Sequence, residues 1–393
     1  MTHAADSVRR SQIQDLLRIH VIWANGSEEG AQSAELISRH FDGIGMERDG
    51  VAYRVPVRFA SAPWDDVSPL PAGIDLSRAA HNAIVLLHDD VMQDDIAAWD
   101  NYVRLTRMAI ADRGDVDFLI PFGSPSGDPP LPTDAEARVQ YTYRKAWVRA
   151  GMSSNARSSR LLLHILYQIR RQLAVLGGGD GQEKIFVSHA KADGDATASA
   201  IVAFVNDKNQ DVSLHTFYDA KELNPGEDFS ERFIDEIVSG TLLAIVSDAY
   251  DSRPWCVFEL TTAKRSRRPI VLADVGQQRT SRTYPYGANL PKVRIYPKPD
   301  DTSWIEPLLV EVLSEGLRCD LFERQAARIV ENPADALMLP RPPELFDVID
   351  AERLPALIVY PDPPLGSIEE GLLSKALAGI SPETRLSTLG ELS

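Results

Sequence analysis

Short apolar runs alternate with longer segments in which apolar residues recur at helical spacing, from residue 18 to residue 123 and again from residue 184 to about residue 322. A short apolar run predicts a buried strand, and the longer spacing predicts an amphipathic helix. Strands that alternate with helices form βαβ units, which require a parallel sheet. We therefore predict an α/β protein with two units, each built on a central parallel sheet, and a short C-terminal α/β extension.

The predicted elements follow from these two spacings. In the first unit we predict strands at 19–23, 53–59, 83–87 and 118–122 and helices at 28–41 and 96–110. In the second we predict strands at 185–188, 214–218, 242–247 and 270–273 and helices near 195–207, 228–239, 253–266 and 303–316. The shared order of elements indicates a weak internal duplication. The tail shows one strand at 356–360 and one helix near 367–378, too short to close a sheet.

A glycine-rich run at 177–181 marks the clearest boundary in the chain. Glycine ends the helix predicted at 158–176, and a run of it forms a flexible connection. The extension is a candidate start of a nucleotide-sensing unit. We predict an α/β domain at 1–150, a linker helix with a Gly-rich hinge at 151–182, a second α/β domain at 183–325 and the C-terminal extension at 326–393.

Charge and cysteine content narrow the range of partners. The 393 residues carry a formal net charge of -16, which argues against nucleic acid or an anionic membrane as the main partner. The two cysteines, Cys256 and Cys319, form no disulfide framework and no metal-ligand spacing. The N-terminus has no apolar signal core, and no apolar run is long enough to span a membrane. We expect a cytoplasmic protein without a metal site.

Three motifs follow one another in the second unit. The first strand ends in Phe-Val-Ser-His-Ala-Lys at 186–191, and the second continues into Phe-Tyr-Asp-Ala-Lys-Glu-Leu-Asn-Pro-Gly-Glu at 217–227. The third leads into Ser-Arg-Pro-Trp-Cys-Val-Phe-Glu-Leu at 252–260. Together they resemble the bacterial TIR (Toll/interleukin-1 receptor) domain of the NAD-cleaving type, with 217–227 as its BB loop. The resemblance implies two flavodoxin-like, TIR-like units, of which the N-terminal one is degenerate.

The resemblance also implies an activity. Such a protein is an NAD+ glycohydrolase, a hydrolase that cleaves the nicotinamide–ribose bond to nicotinamide and ADP-ribose or a cyclic form of it. NAD+ is then the substrate, and no cofactor is expected. The family acts in antiviral defence and immune signalling, and it is activated by self-association through the TIR domain, here in response to an unknown signal. The BB loop opens to admit NAD when subunits assemble.

Glu259 is the expected catalytic residue. It lies four residues after Trp255, so both side chains share one face of a helix. The nicotinamide of NAD+ is already cationic and departs as a neutral amide, so no general acid is needed. One carboxylate that stabilises an oxocarbenium-like transition state is enough, whereas sugar hydrolysis uses two. The structural alternative is a glutamate without a catalytic role, which the helix dipole favours in the first turns.

The resemblance further implies a set of substrate-binding residues. Four of them have an ordinary structural alternative. Ser188 would cap the following helix, Lys191 would be solvated, and Gly226 would complete a Pro-Gly turn. Trp255 would seal its helix rather than stack on nicotinamide or ribose. We read Cys256 as a packed small side chain and the basic run 264–268 as a solvated helix end. The expected binding residues are Ser188, Lys191, Asp219, Leu223, Gly226, Phe229 and Trp255.

The first unit departs from this pattern. Val103 stands four residues after Trp99, where the second unit has its glutamate, so one active site per chain is expected. Two rival functions remain open. A non-enzymatic TIR signalling or scaffold module would need no glutamate at this position. A nucleoside ribosyltransferase-like enzyme would need a second acidic residue, which the sequence does not place.

Overall fold

The computed structural model describes residues 15–42, 55–64, 70–207, 212, 214–217, 229–276, 287, 289–298, 301–349 and 354–392. These residues form three sheets of five, five and three strands, and every strand pair in them is parallel. The predicted α/β class with central parallel sheets is confirmed. The described residues up to Gly178 form one compact unit and those from Gly179 onward form a second.

The first unit is a five-stranded sheet in the order β2-β1-β3-β4-β5. Its central strands are buried on both faces, as is usual for a parallel sheet. The strands are β1 (Asp15–Ile22), β2 (Val57–Ala60), β3 (Ala79–Leu87), β4 (Phe118–Gly123) and β5 (Thr142–Tyr143). The helices are α1 (Glu28–Asp42), α2 (Ile96–Asp112), α3 (Pro132–Glu136), α4 (Arg144–Arg149) and α5 (Ser154–Leu176).

The sheet of the second unit repeats this arrangement. Its order, β7-β6-β8-β9-β10, places the first strand between the second and the third, as in the first unit. The strands are β6 (Glu183–His189), β7 (Leu214–Phe217), β8 (Thr241–Val246), β9 (Ile270–Asp274) and β10 (Lys292–Arg294). The helices are α6 (Asp195–Val205), α7 (Phe229–Ser239), α8 (Pro254–Arg265) and α9 (Ile305–Ile329).

The extension contains a small sheet of its own, where we predicted a single strand. The order is β11-β12-β13, and β12 is the predicted strand. The flanking strands have only three and four residues and no buried apolar run, so periodicity does not reveal them. The elements are β11 (Ala336–Met338), α10 (Leu345–Ile349), β12 (Leu357–Tyr360), α11 (Ser367–Ile380), β13 (Arg385–Thr388) and α12 (Leu389–Leu392).

Helix α9 links the second sheet to the extension. It runs well past the predicted end at residue 316, and across residue 326, where we expected the extension to begin. Phe322 and Ala326, in its last turns, pack in one core with Val359 of β12 and Leu389 of α12. Within the described residues, no helix is both long and apolar enough to cross a membrane.

Candidate functional site

The candidate site lies at the carboxyl edge of the second sheet, where ligands commonly bind to parallel sheets. Strands β6 and β8 are neighbours, with Ser188 paired to Ala244, so both end at this edge. Helix α8 begins just after β8, following a short 3₁₀ turn over Tyr250–Ser252. Its first residue, Pro254, has a fixed φ and lacks an N–H, both of which suit the start of a helix. This geometry brings α8 back over the end of β6.

Three side chains form a buried polar cluster there, which we call the Ser-Tyr-Glu cluster. The Ser188 hydroxyl donates a short hydrogen bond to Oε2 of Glu259. The same hydroxyl lies 2.7 Å from the Tyr250 hydroxyl. Ser188, Tyr250 and Glu259 are 1%, 0% and 3% exposed. The carboxylate is thus held in a water-poor environment, where its charge acts more strongly than it would in water.

Tyr250 is the member of the cluster that sequence reasoning missed. It follows the polar residues that end the third strand, in the segment Ser247-Asp248-Ala249-Tyr250. A buried tyrosine usually needs a hydrogen-bond partner for its hydroxyl, which is a usable signal. The identity of that partner depends on the fold, because Ser188 is 62 residues away in sequence.

Trp255 lies one helical turn before Glu259 and is accessible. Its side chain is 39% exposed, and its ring stacks on that of Phe258 at a centroid distance of 5.1 Å. An accessible, rigidly stacked indole offers a flat apolar surface beside a buried carboxylate. That combination suits either an aromatic base or the face of a sugar ring.

The loop after β6 carries the next predicted residue, Lys191, which is exposed. His189, the last residue of β6, is buried, with its Nε2 3.5 Å from Oδ1 of Asp195. Asp193 ties this loop to the end of β8, accepting hydrogen bonds from the Ser247 hydroxyl at 2.6 Å and the Ala249 N–H at 2.9 Å. The two loops that border the Ser-Tyr-Glu cluster are therefore joined.

The remaining predicted binding residues belong to the segment 217–229. Asp219, Leu223 and Gly226 lie outside the described residues. Phe229 is the first residue of α7. Cys256 is 3% exposed in the apolar core beneath α8, with its Sγ 3.5 Å from the carbonyl oxygen of His189, which agrees with its reading as a packed side chain.

The C-terminal end of α8 is buried against the extension. Our reading of 264–268 as a solvated helix end is wrong for Lys264, which is 1% exposed and donates to Oε1 of Glu344 at 2.6 Å. Burial lowers the pKa of the Lys264 ammonium, and the Glu344 bond partly offsets this. Arg341 pairs with both oxygens of Asp347 and donates to the Lys264 carbonyl. We call these four residues the α8 clamp.

The first unit has apolar residues at the positions of Ser188 and Glu259. When Arg18-Ile19 is aligned with Lys184-Ile185, Ile22 falls at the position of Ser188. Val103 takes the position of Glu259 by its spacing from Trp99. Ile22, Trp99 and Val103 are buried and pack in one hydrophobic core.

Comparison with known proteins identifies the domain type of one part of the chain. The family model of the TIR domain matches residues 185–318, which span the second sheet and most of α9. This segment is a TIR domain. No curated protein matches the chain. Among solved structures, tagatose-6-phosphate ketose/aldose isomerase from Escherichia coli is similar at 12% identity, with 81% of this chain and 87% of that chain covered and a TM-score of 0.21. At that score the similarity supports no argument about function.

Proposed function

We propose that the TIR domain is an NAD+ glycohydrolase that cleaves the nicotinamide–ribose bond, releasing nicotinamide and ADP-ribose or its cyclic form. One observation carries the proposal. Glu259 is buried in a polar cluster at the carboxyl edge of a parallel sheet, at a position where the first unit has valine.

The first unit supports a functional reading of that cluster. In a sheet with the same strand order, Ile22 and Val103 take the positions of Ser188 and Glu259, so the topology does not require polar side chains at these two positions. A buried carboxylate destabilises a fold relative to an apolar residue of similar size. An apolar pair would therefore be more stable at these positions. The presence of Ser188 and Glu259 is explained if the carboxylate has a chemical role.

The chemistry needs few groups. In the proposed reaction the C1′–N bond breaks, nicotinamide leaves with the bonding electrons as a neutral molecule, and positive charge develops on the ribose. The Glu259 carboxylate stabilises that charge and orients the ribose hydroxyls. Water adds to C1′ and releases a proton to solvent, whereas attack by an adenine nitrogen gives the cyclic product. Ser188 orients the carboxylate in the proposed mechanism.

Substrate access requires a rearrangement, because Glu259 is only 3% exposed. We propose that self-association of TIR domains moves the BB loop and opens the site, and that this controls activity in antiviral defence. Trp255 then contacts nicotinamide or ribose. In this proposal Lys191, Asp219, Leu223, Gly226 and Phe229 complete the binding site.

A non-enzymatic TIR scaffold is the second candidate. The same burial favours it, since a carboxylate satisfied by a serine hydroxyl can be a purely structural group. In that case Trp255, exposed on α8, would belong to an assembly surface. The two functions differ in a measurable product.

The test is nicotinamide release from NAD+ by the full chain, with and without a crowding agent that promotes assembly. We expect Glu259→Gln, which keeps shape and removes charge, to lower the rate by roughly 10²–10³-fold. Glu331→Gln makes the same charge change at an exposed residue and serves as the control. Absence of release from the wild type under both conditions would refute the enzyme, and equal release from Glu259→Gln would refute the assignment of the residue.

A further inference from the structure

The first unit contains a cavity of about 130 Å³ bordered by α1, α4 and α5. It is separate from the candidate site, and every residue that lines it belongs to the first unit. Its polar lining is rich in donors. The relevant lining residues are Glu29, Arg144, Trp147, Ser154, Arg157 and Ser158.

Two donors in this lining have no acceptor among the residues that the structure describes. They are the Nε atom of Arg157 and the indole Nε1 of Trp147, both of which are buried. Trp147 is only 3% exposed, so water does not readily replace the missing acceptor. Buried donors are rarely left unpaired, and each such case calls for an explanation. Two of them on side chains that line one cavity point to an acceptor that binds there.

The charges favour an anionic acceptor. Arg144 is held in place by the carbonyls of Gly123 and His88 and by Glu29, whose carboxylate compensates its charge at 3.0 Å. Among the residues that the structure describes, Arg157 makes neither an ion pair nor a side-chain hydrogen bond. Its positive charge therefore has no partner within this part of the chain.

The helix at the cavity adds to this preference. Ser154 and Ser158 lie on the first turns of α5, a helix of 23 residues. The N-terminal end of a helix carries partial positive charge, and serine hydroxyls donate readily to oxyanions. Cation, indole N–H, hydroxyls and helix end together supply several donors around one small volume.

We propose that this cavity binds the phosphoryl group of a small ligand, with Arg157 as the principal contact and the Trp147 N–H as a second donor. A phosphoryl group accepts several hydrogen bonds at once and pairs well with a guanidinium. The volume suits one such group with a small attachment and is below the usual size of a site for a whole drug-sized ligand. The inference does not depend on NAD cleavage.

Calorimetric titration of the full chain with inorganic phosphate tests the proposal. We expect saturable binding that Arg157→Gln weakens by at least about tenfold, because it removes a charge-assisted contact. Trp147→Phe keeps the ring, removes the N–H and weakens binding less. The control is Arg149→Gln, which makes the same charge change at an exposed residue of α4 outside the lining. Circular dichroism and melting without phosphate establish that the variants are folded.

Further titrations sharpen the assignment. Tighter binding of adenosine monophosphate than of inorganic phosphate supports the proposal with a nucleotide as the source, and equal binding supports it with free phosphate. Equal binding of acetate would overturn the phosphoryl assignment. Absence of saturable phosphate binding, or equal weakening by Arg149→Gln and Arg157→Gln, would overturn the site.

Discussion

The two five-stranded sheets share one strand order but differ at the carboxyl edge. In the first unit, Ile22 and Val103 extend the hydrophobic core to that edge, whereas in the second Ser188 and Glu259 form a buried hydrogen bond there. Since both sheets form, the fold accepts either solution. Strand order therefore does not determine the chemistry of the edge, which depends on a few side chains.

The tryptophans on the corresponding helices show the same difference. Trp99 is 3% exposed and packs edge-on against Tyr102, whereas Trp255 is 39% exposed and stacks on Phe258. Trp99 therefore belongs to the core of the first unit, whereas Trp255 lies at the surface of the second. Accessibility, as well as charge, distinguishes the TIR domain from the first unit.

The largest expected effect comes from placing a carboxylate at Val103, in the hydrophobic core of the first unit. We expect Val103→Glu to lower the free energy of unfolding by roughly 4–6 kcal/mol, because Ile22, at the position of Ser188, cannot donate a hydrogen bond to the new carboxylate. Leu105→Glu, on the exposed side of the same helix, is the control and should change stability by less than about 1 kcal/mol. Urea unfolding followed by circular dichroism measures both. Equal losses of stability would show that the Val103 position accepts a carboxylate as readily as the exposed Leu105 position does.

The next effect concerns the α8 clamp of the second unit. Glu344→Gln leaves Lys264 buried without its carboxylate and should cost roughly 3–5 kcal/mol. Replacing both partners, as in Lys264→Met with Glu344→Leu, should recover most of that loss because neither charge of this pair is then left buried without the other. Urea unfolding of the single and double variants measures this. A double variant as unstable as the single one would show that the pair is not an isolated unit.

A pH effect distinguishes the first strands of the two sheets. His20 falls at the position of Phe186, and burial lowers its pKa to about 4, with a hydrogen bond to Asn82 partly opposing the shift. Between pH 6.5 and about 4 the unfolded chain binds this proton and the folded chain does not, so stability falls as the pH falls. We expect His20→Phe to remove up to about 3 kcal/mol of that loss.

Urea titrations at several pH values measure the slope. His215→Phe, at an exposed position of β7, is the control. The interpretation fails if His20→Phe leaves the slope between pH 6.5 and 4 unchanged.

The smallest expected effect is the loss of one hydroxyl. Tyr250→Phe removes a buried partner of Ser188, and Tyr102→Phe removes a donor to the Ala72 carbonyl in the first unit. Each should cost about 1 kcal/mol of stability. Only Tyr250→Phe should also lower nicotinamide release, by roughly 3–10-fold, because it loosens the orientation of Glu259. Equal rates from both variants would remove Tyr250 from the mechanism.

Prediction from sequence succeeded where the apolar pattern is long. The central strands β1, β3, β6 and β8 were all located, because buried parallel strands consist of continuous apolar runs. It failed for β5, β10, β11 and β13, which have two to four residues and depend on pairing with a neighbour. Helix α9 was predicted too short, because its later turns bury their apolar residues against the extension.

The sequence alone determined the α/β class, the duplicated order of elements and the candidate residue Glu259, since each depends on local spacing or a motif. Only the tertiary structure decided what surrounds that residue. Ser188 lies 71 residues from Glu259, and Glu344 lies 80 residues from Lys264. No local pattern encodes such pairs, because burial and partner choice arise when distant elements pack together. That packing buries a Ser188–Glu259 hydrogen bond in the second unit, whereas in the first unit it places Ile22 and Val103 in the hydrophobic core.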